Sequence, residues 1–100
     1  MNSDVLVSGT VASSPRFFYG SITHAMHEAF NIRTDQGKSL EVVDNVAIAP
    51  RCPVKPGDRV TVKGEYLPDG SHGPMIHWTH RDPDGKHQDG YIDLNGRMYA

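Results

Sequence analysis

Short stretches of the chain alternate between apolar and polar residues, and this period of two predicts β-strands rather than helices. The first stretch begins near Asp4 and places Val5, Val7 and Val11 on one face, with Gly9 among them. A glycine inside a strand permits a bend or a bulge, because it has no side chain to pack. The first strand is therefore predicted to be bent.

Residues 27–34 and 38–45 form a second and a third alternating stretch, separated by the turn sequence Asp-Gln-Gly. Because the separation is so short, the two stretches are predicted to pair as a hairpin. The side chains predicted to face inward are Phe30, Ile32, Leu40 and Val42.

The second half of the chain repeats the same pattern. Residues 55–67 open with a Pro-Gly-Asp turn and then alternate, with Val60 and Val62 on one face. Residues 74–80 are predicted to be a fifth strand, preceded by a turn at "PDGSHG". Near the end of the chain, Asn-Gly at 95–96 is a strong signal for a two-residue hairpin turn.

Two segments lack the alternation. Residues 13–26 hold two phenylalanines and a tyrosine, and are predicted to be a long connection. Residues 46–54 are apolar, but Pro50 and Pro53 prevent a long helix there, so an irregular linker or a single helical turn is expected.

Together these elements predict an all-β domain that spans residues 1–100. A bent first strand, a break between the third and fourth strands and five strands in all favour a five-stranded OB-like Greek-key barrel with a C-terminal β-hairpin. Another small barrel or a sandwich is the alternative. The composition, 37% hydrophobic and 22% charged, is that of an ordinary folded domain.

Charge and cysteine content narrow the functional classes. The net charge is −2 with histidines neutral, which gives no support to strong non-specific DNA binding, although a local basic groove remains open. Cys52 is the single cysteine, so neither an internal disulfide nor a thiolate zinc cage is expected. The start of the chain has no signal-peptide pattern and no apolar run reaches roughly 18 residues, so we expect a cytoplasmic protein without membrane contact, unless a leader was trimmed.

The stretch "IHWTHRDPDGKHQDGY", residues 76–91, holds three of the six histidines. His77, His80, Asp82 and His87 are the candidate metal ligands, because imidazoles and a carboxylate suit zinc or manganese. Three such ligands plus water would form an open catalytic site. Strand alternation places the first two of these histidines on opposite faces unless the strand ends near Thr79. The alternative is structural, with the aspartates capping turns and the histidines bonded to backbone carbonyls.

A second set of residues suits nucleic acid. Arg16, Phe17 and Phe18 lie in "PRFFYG", which is either a base-stacking loop or a loop folded over one end of the barrel. Arg51 and Arg81 are candidate phosphate contacts, and the alternative for each is a solvated surface charge. Trp78 is a further candidate substrate contact that could stack on a base, although it shares a face with Ile76 and core packing is the favoured role. Asp44 and Glu65 are expected to be ordinary acids at strand edges.

Four stretches occur in the order of a known family: "GTV", "HEAFNIRTDQGKSLEVVDNVAIAPR", "KPGDRVTVKGEY" and "IHWTHRDPDGKHQDGYI". Across about residues 4–99 the chain resembles the bacterial domain-of-unknown-function family 3465, whose most specific block is "HWTHHDP". Arg81 stands where that family usually has another histidine, and His27 corresponds to its earlier histidine. The resemblance implies an OB-like barrel and no established activity.

The leading hypothesis is a small domain that binds single-stranded nucleic acid or a nucleotide. The His/Asp block would add metal-assisted phosphodiester hydrolysis, with His27, His80 and Asp82 as catalytic residues. Arg51 or Arg81 would stabilise phosphate charge. The alternative is a non-catalytic interaction module that binds a protein or a small anion.

Overall fold

The structure, a computed structural model, describes residues 3–100. Eight strands form one sheet and no helix occurs in this part of the chain. The strands are β1 (Ser3–Val11), β2 (Arg16–Gly20), β3 (Ala25–Thr34), β4 (Ser39–Asn45), β5 (Arg59–Gly70), β6 (Gly73–His77), β7 (Tyr91–Leu94) and β8 (Arg97–Tyr99). No helix long and apolar enough to cross a membrane is found within residues 3–100.

Five of the strands close into a ring in the order β1-β3-β4-β6-β5, and β5 pairs back onto β1. The pair β4–β6 is parallel, whereas the other pairs of the ring are antiparallel. This strand order, with one parallel pair among antiparallel pairs, is that of an OB barrel. The all-β, OB-like prediction is therefore confirmed.

The first strand bends at the predicted place. Gly9 pairs with both Thr34 of β3 and Val60 of β5, so the strand passes from one neighbour to the other there. A Cβ atom at Gly9 would lie 2.5 Å from the Arg33 carbonyl oxygen. Only glycine permits so close an approach of the two backbones.

The prediction of a long connection at residues 13–26 is wrong, because this segment contains β2. The strand Arg16–Gly20 pairs with the N-terminal half of β3. Strand β1 pairs with the C-terminal end of β3 along the same edge. Both faces of β2 carry large side chains, so the sequence shows no alternation. Aromatic residues still favour strands, and that propensity is the signal which the period-two pattern did not capture.

The core fills the inside of the ring with side chains from every ring strand, together with Cys52 and Val54 from the irregular segment after β4. Cys52 is fully buried, and burial, followed by the nearby carboxylates of Glu28, Asp44 and Asp58, raises the pKa of its thiol to about 12. A thiol with so high a pKa stays protonated and packs as a small apolar residue rather than acting as a nucleophile.

Strands β6 and β7 lie one after the other along the same edge of β5, and residues 78–90 leave that edge between them. The base of this loop is closed by a hydrogen bond of 2.9 Å from the Gly90 N–H to the His80 carbonyl oxygen. Beyond it, the predicted C-terminal hairpin is present, with Asn95 and Gly96 at φ angles of 53° and 89° as its turn requires.

Candidate functional site

A groove of about 620 Å³ crosses the outer face of β3 and β4. It lies between β2 on one side and the Ser71-His72 turn, which joins β5 to β6, on the other. OB barrels bind oligonucleotides and oligosaccharides on this face, between these two connections. We call it the aromatic groove, and its main lining residues are Arg16, Phe18, His27, Glu41, His72 and Met75.

An acid forms part of the floor of the aromatic groove. The Glu41 side chain is only 7% exposed, and its Oε2 accepts a hydrogen bond from the Arg16 guanidinium. The His72 ring nitrogen Nδ1 lies 3.5 Å from the same oxygen. Sequence analysis missed both Glu41 and His72, because their approach depends on β4 and the β5–β6 turn meeting across the sheet.

Phe18 stands in the groove, and its ring is stacked on that of His27 with centroids 5.3 Å apart. The Arg16 guanidinium carbon lies 5.5 Å from the Phe18 ring centroid. Phe17 points to the opposite face of β2, where Arg51 covers its ring at 4.7 Å. The structure thus brings Arg16 and Phe18 to the groove but leaves Phe17 and Arg51 outside it.

A second cavity of about 330 Å³ adjoins the groove and shares His27, Val43 and Met75 with it. We call it the histidine cleft. Its lining includes the predicted catalytic His27 and the four predicted metal ligands, together with the indole of Trp78: His27, His77, Trp78, His80, Asp82 and His87. Arg81 instead lines a separate small cavity beside Pro83.

Three rings form a stack at the cleft. The indole of Trp78 is nearly parallel to the rings of His77 and His87, at centroid distances of 4.6 Å and 4.4 Å. His80 meets His87 edge-on at 5.2 Å. The prediction that Trp78 packs in the core is wrong, since its side chain is 39% exposed. The strand ends at His77, and the positive φ of 54° at Trp78 turns the indole out of the strand pattern.

Three of the histidines are held in the same way. The Nδ1 atoms of His27, His80 and His87 lie 2.8–3.0 Å from backbone carbonyl oxygens. A carbonyl oxygen only accepts, so Nδ1 carries a hydrogen in each ring, and in the neutral form of the ring the lone pair is on Nε2. His77 differs, because its Nε2 lies 2.8 Å from Oε1 of Glu65.

Asp82 stabilises the conformation of the loop at residues 78–90. Its carboxylate accepts hydrogen bonds from the backbone N–H groups of Asp84, Lys86 and His87. Burial acts to raise the pKa of Asp82, but these three bonds and the charge of His87 outweigh it and hold the pKa below its usual value. This arrangement matches the turn-capping alternative that the sequence left open.

The four predicted ligands are not gathered around one point. His87 Nε2 lies 3.8 Å from an Asp82 oxygen, while His77 is held by Glu65 on the far side of the indole. Within residues 3–100 no group of three or more His, Cys, Asp or Glu side chains is arranged to hold a metal ion. His80 and His87 are the two predicted ligands whose rings are in contact.

A family model described as "Protein of unknown function (DUF3465)" matches residues 1–100. The chain belongs to this family. The resemblance predicted from the four sequence stretches is therefore confirmed. No curated protein matches the chain.

This member of the family also contains a buried acid pair that sequence analysis missed. Glu28 and Asp44 are direct cross-strand neighbours on the inner face of β3 and β4, and they are 0% and 1% exposed. One oxygen of each has no hydrogen-bond partner. The expectation that Asp44 is an ordinary strand-edge acid is wrong. The alternation of side chains along each strand was the available signal. Glu28 lies two residues from Phe30, and Asp44 lies two residues from Val42, so each acid points to the same face as a core residue.

The groups around this pair favour its neutral form. Burial, then the carboxyl of Glu28, raise the pKa of Asp44 to about 7, against hydrogen bonds from the Thr79 hydroxyl and the Asn45 N–H. Burial also raises the pKa of Glu28, although the Cys52 N–H and the charge of Arg51 act against it. Two negative charges so close together and out of water are unfavourable. We therefore expect the pair to keep at least one proton at pH values where exposed carboxyls are already ionised.

Proposed function

We propose that this domain binds single-stranded nucleic acid or a nucleotide through the aromatic groove. The observation that carries the proposal is the position of Phe18. Its ring lies on the β3–β4 face of an OB ring, between the two connections that bind ligands in other OB barrels. A base stacks well on such a ring, whatever its sequence, because every base has a π face.

We expect this binding to be modest rather than tight, because few cations lie at the groove. The guanidinium of Arg16 lies over the Phe18 ring, and the Arg16 side chain is about half exposed, so it can turn towards a phosphate. Arg51 and Arg81 line neither the groove nor the cleft, and the net charge of the chain is −2. Binding should therefore be strongest at low ionic strength and should weaken as salt is added.

Replacing Phe18 by alanine should weaken the binding of a labelled oligothymidylate by about 1–3 kcal/mol, which is the usual contribution of one aromatic ring stacked on a base. Fluorescence anisotropy at low salt is the measurement. Phe17→Ala is the matched control, because it removes the same ring from the opposite face of β2. The proposal fails if the unaltered protein does not bind at low salt, or if the two variants lose the same affinity while both remain folded.

A second activity, metal-assisted phosphodiester hydrolysis, has its own supporting observation. His27, His80 and His87 line one cleft, and each has Nδ1 bonded to a backbone carbonyl oxygen, as the second ring nitrogen of a metal-binding histidine often is. In this proposal His80 and His87 hold zinc or manganese and His27 accepts a proton. Asp82 shapes the loop instead of binding the ion. When bound, the metal would polarise a phosphoryl oxygen and activate water.

Zinc or manganese should raise the Tm of the unaltered protein, because a ligand that binds the native state alone contributes about 2.7 kcal/mol at a hundredfold excess over its Kd. His87→Ala should abolish the shift, and His24→Ala, outside the cleft, should keep it. The fluorescence of Trp78, the single tryptophan, gives a second readout beside the cleft. An equal shift in both variants would refute binding at this place. If neither nucleic acid nor metal binds, the non-catalytic interaction module is the remaining proposal.

A further inference from the structure

The contacts of Arg16 in the aromatic groove indicate which group the groove accepts. The guanidinium of Arg16 lies over the ring of Phe18 and donates to the carboxylate of Glu41. The ring of Phe18 and the Glu41 carboxylate thus already hold a planar group that donates an N–H to an acid. Arg16 is about half exposed, while Glu41 is almost wholly buried, so the cation can leave and the acid cannot.

Among the common bases, guanine alone presents two adjacent N–H donors, N1–H and the N2 amino group, on its pairing edge. These donors belong to a guanidine unit, the same planar N–C–N arrangement that an arginine carries. A carboxylate accepts only, and it has lone pairs enough for two such bonds on parallel N–H groups. Adenine and cytosine place an acceptor beside their amino group, and that acceptor would face the Glu41 oxygens unfavourably.

We infer that the aromatic groove selects guanine, whose base stacks on Phe18 and donates N1–H and N2–H to the carboxylate of Glu41. Arg16, displaced from that carboxylate, turns to the phosphate of the same nucleotide. The inference rests on the proposed nucleic-acid function and names the base which that site takes. A guanine nucleotide and a guanine within a single strand share this chemistry.

The test compares short fluorescein-labelled oligothymidylates that carry one central guanine, inosine, adenine or cytosine. Inosine lacks only the N2 amino group, so it removes one donor and leaves the stacking surface almost unchanged. The guanine strand should bind about tenfold more tightly than the inosine strand, in line with the discrimination of a bidentate side-chain contact. GMP and IMP, added as competitors, show whether the free nucleotide suffices or the strand is needed.

Glu41→Gln should bring the guanine-to-inosine ratio close to one, because an amide replaces one acceptor by a donor. Asp4→Asn, an exposed acid on β1, is the matched control and should keep the ratio. Equal binding of the guanine and inosine strands by the unaltered protein overturns the inference but leaves the proposed function standing. Absence of binding to every strand overturns both. The comparison of strands on the unaltered protein decides the question even if the Glu41 variant does not fold.

Discussion

The free energy of unfolding is expected to fall as the pH rises from about 4 towards 7, because of the buried pair Glu28 and Asp44. In the unfolded chain the Asp44 carboxyl ionises with its ordinary pKa of 3.8, whereas in the folded barrel its pKa is about 7. The stabilising contribution of the protonated form is therefore complete below pH 3.8. It is lost as the pH rises through the folded pKa, at about 1.4 kcal/mol per pH unit for each proton.

Asp44→Asn removes this dependence, because the amide is neutral in both states. The amide can also donate a hydrogen bond to the unpartnered Glu28 oxygen across the strand pair. We expect the variant to be less sensitive to pH between about 4 and 7 than the unaltered protein, and to be the more stable of the two at about pH 8.

Urea unfolding at several pH values measures both effects. Asp4→Asn is the control, because this carboxyl is exposed on β1 and the substitution should leave the pH dependence unchanged. The explanation is refuted if the unaltered protein shows no decline between about pH 4 and 7. It is refuted equally if Asp44→Asn keeps the full decline.

Gly90→Ala should destabilise the domain by about 3 kcal/mol or more, the range expected when a side chain is forced into a fully packed place. A Cβ atom there would meet the Trp78 carbonyl oxygen and would lie 2.6 Å from that of Lys63. Both neighbours are backbone atoms of the loop base and of β5, so neither can turn aside. With alanine at this position, the loop base could not close while β7 stays paired with β5.

Gly85→Ala, in the same loop, separates this effect from a general sensitivity of the loop. A Cβ atom at Gly85 would have no neighbour within 4 Å, but its φ of +67° is unfavourable for alanine. The expected cost is about 1 kcal/mol, that of the left-handed conformation alone. Denaturation followed by Trp78 fluorescence compares the two, and similar losses in both variants would contradict the steric explanation.

Alternation predicted most of the ring because each ring strand turns alternate side chains into the core. The hairpin β3–β4 and the C-terminal turn at Asn95 follow from residues that are close in sequence. The extra strand β2 did not follow, since both of its faces are largely exposed and neither is patterned. Local patterns therefore located the strands that face the core and missed the one that borders the groove.

Sequence pointed to the His/Asp block, but it gave neither the arrangement of these residues nor the acid of the aromatic groove, Glu41. The residues of the His/Asp block do line one cleft. Their orientation depends on where β6 ends and on the bond between His80 and Gly90, which no periodicity encodes. The burial of Asp44 likewise depends on its partner across the sheet. The alternation of side chains along the two strands identifies that partner, Glu28, only once the pairing register is known.

The closed ring has a consequence for the order in which the chain folds. The pair β3–β4 joins residues that are neighbours in sequence and can form early, whereas β1 and β5 pair Ser3 with Tyr66 and so join distant parts of the chain. The entropy lost in closing so long a loop is recovered only when the ring is complete. We therefore expect the meeting of β1 and β5 to limit the folding rate, and folding to fall in the millisecond-to-second range of β-barrels.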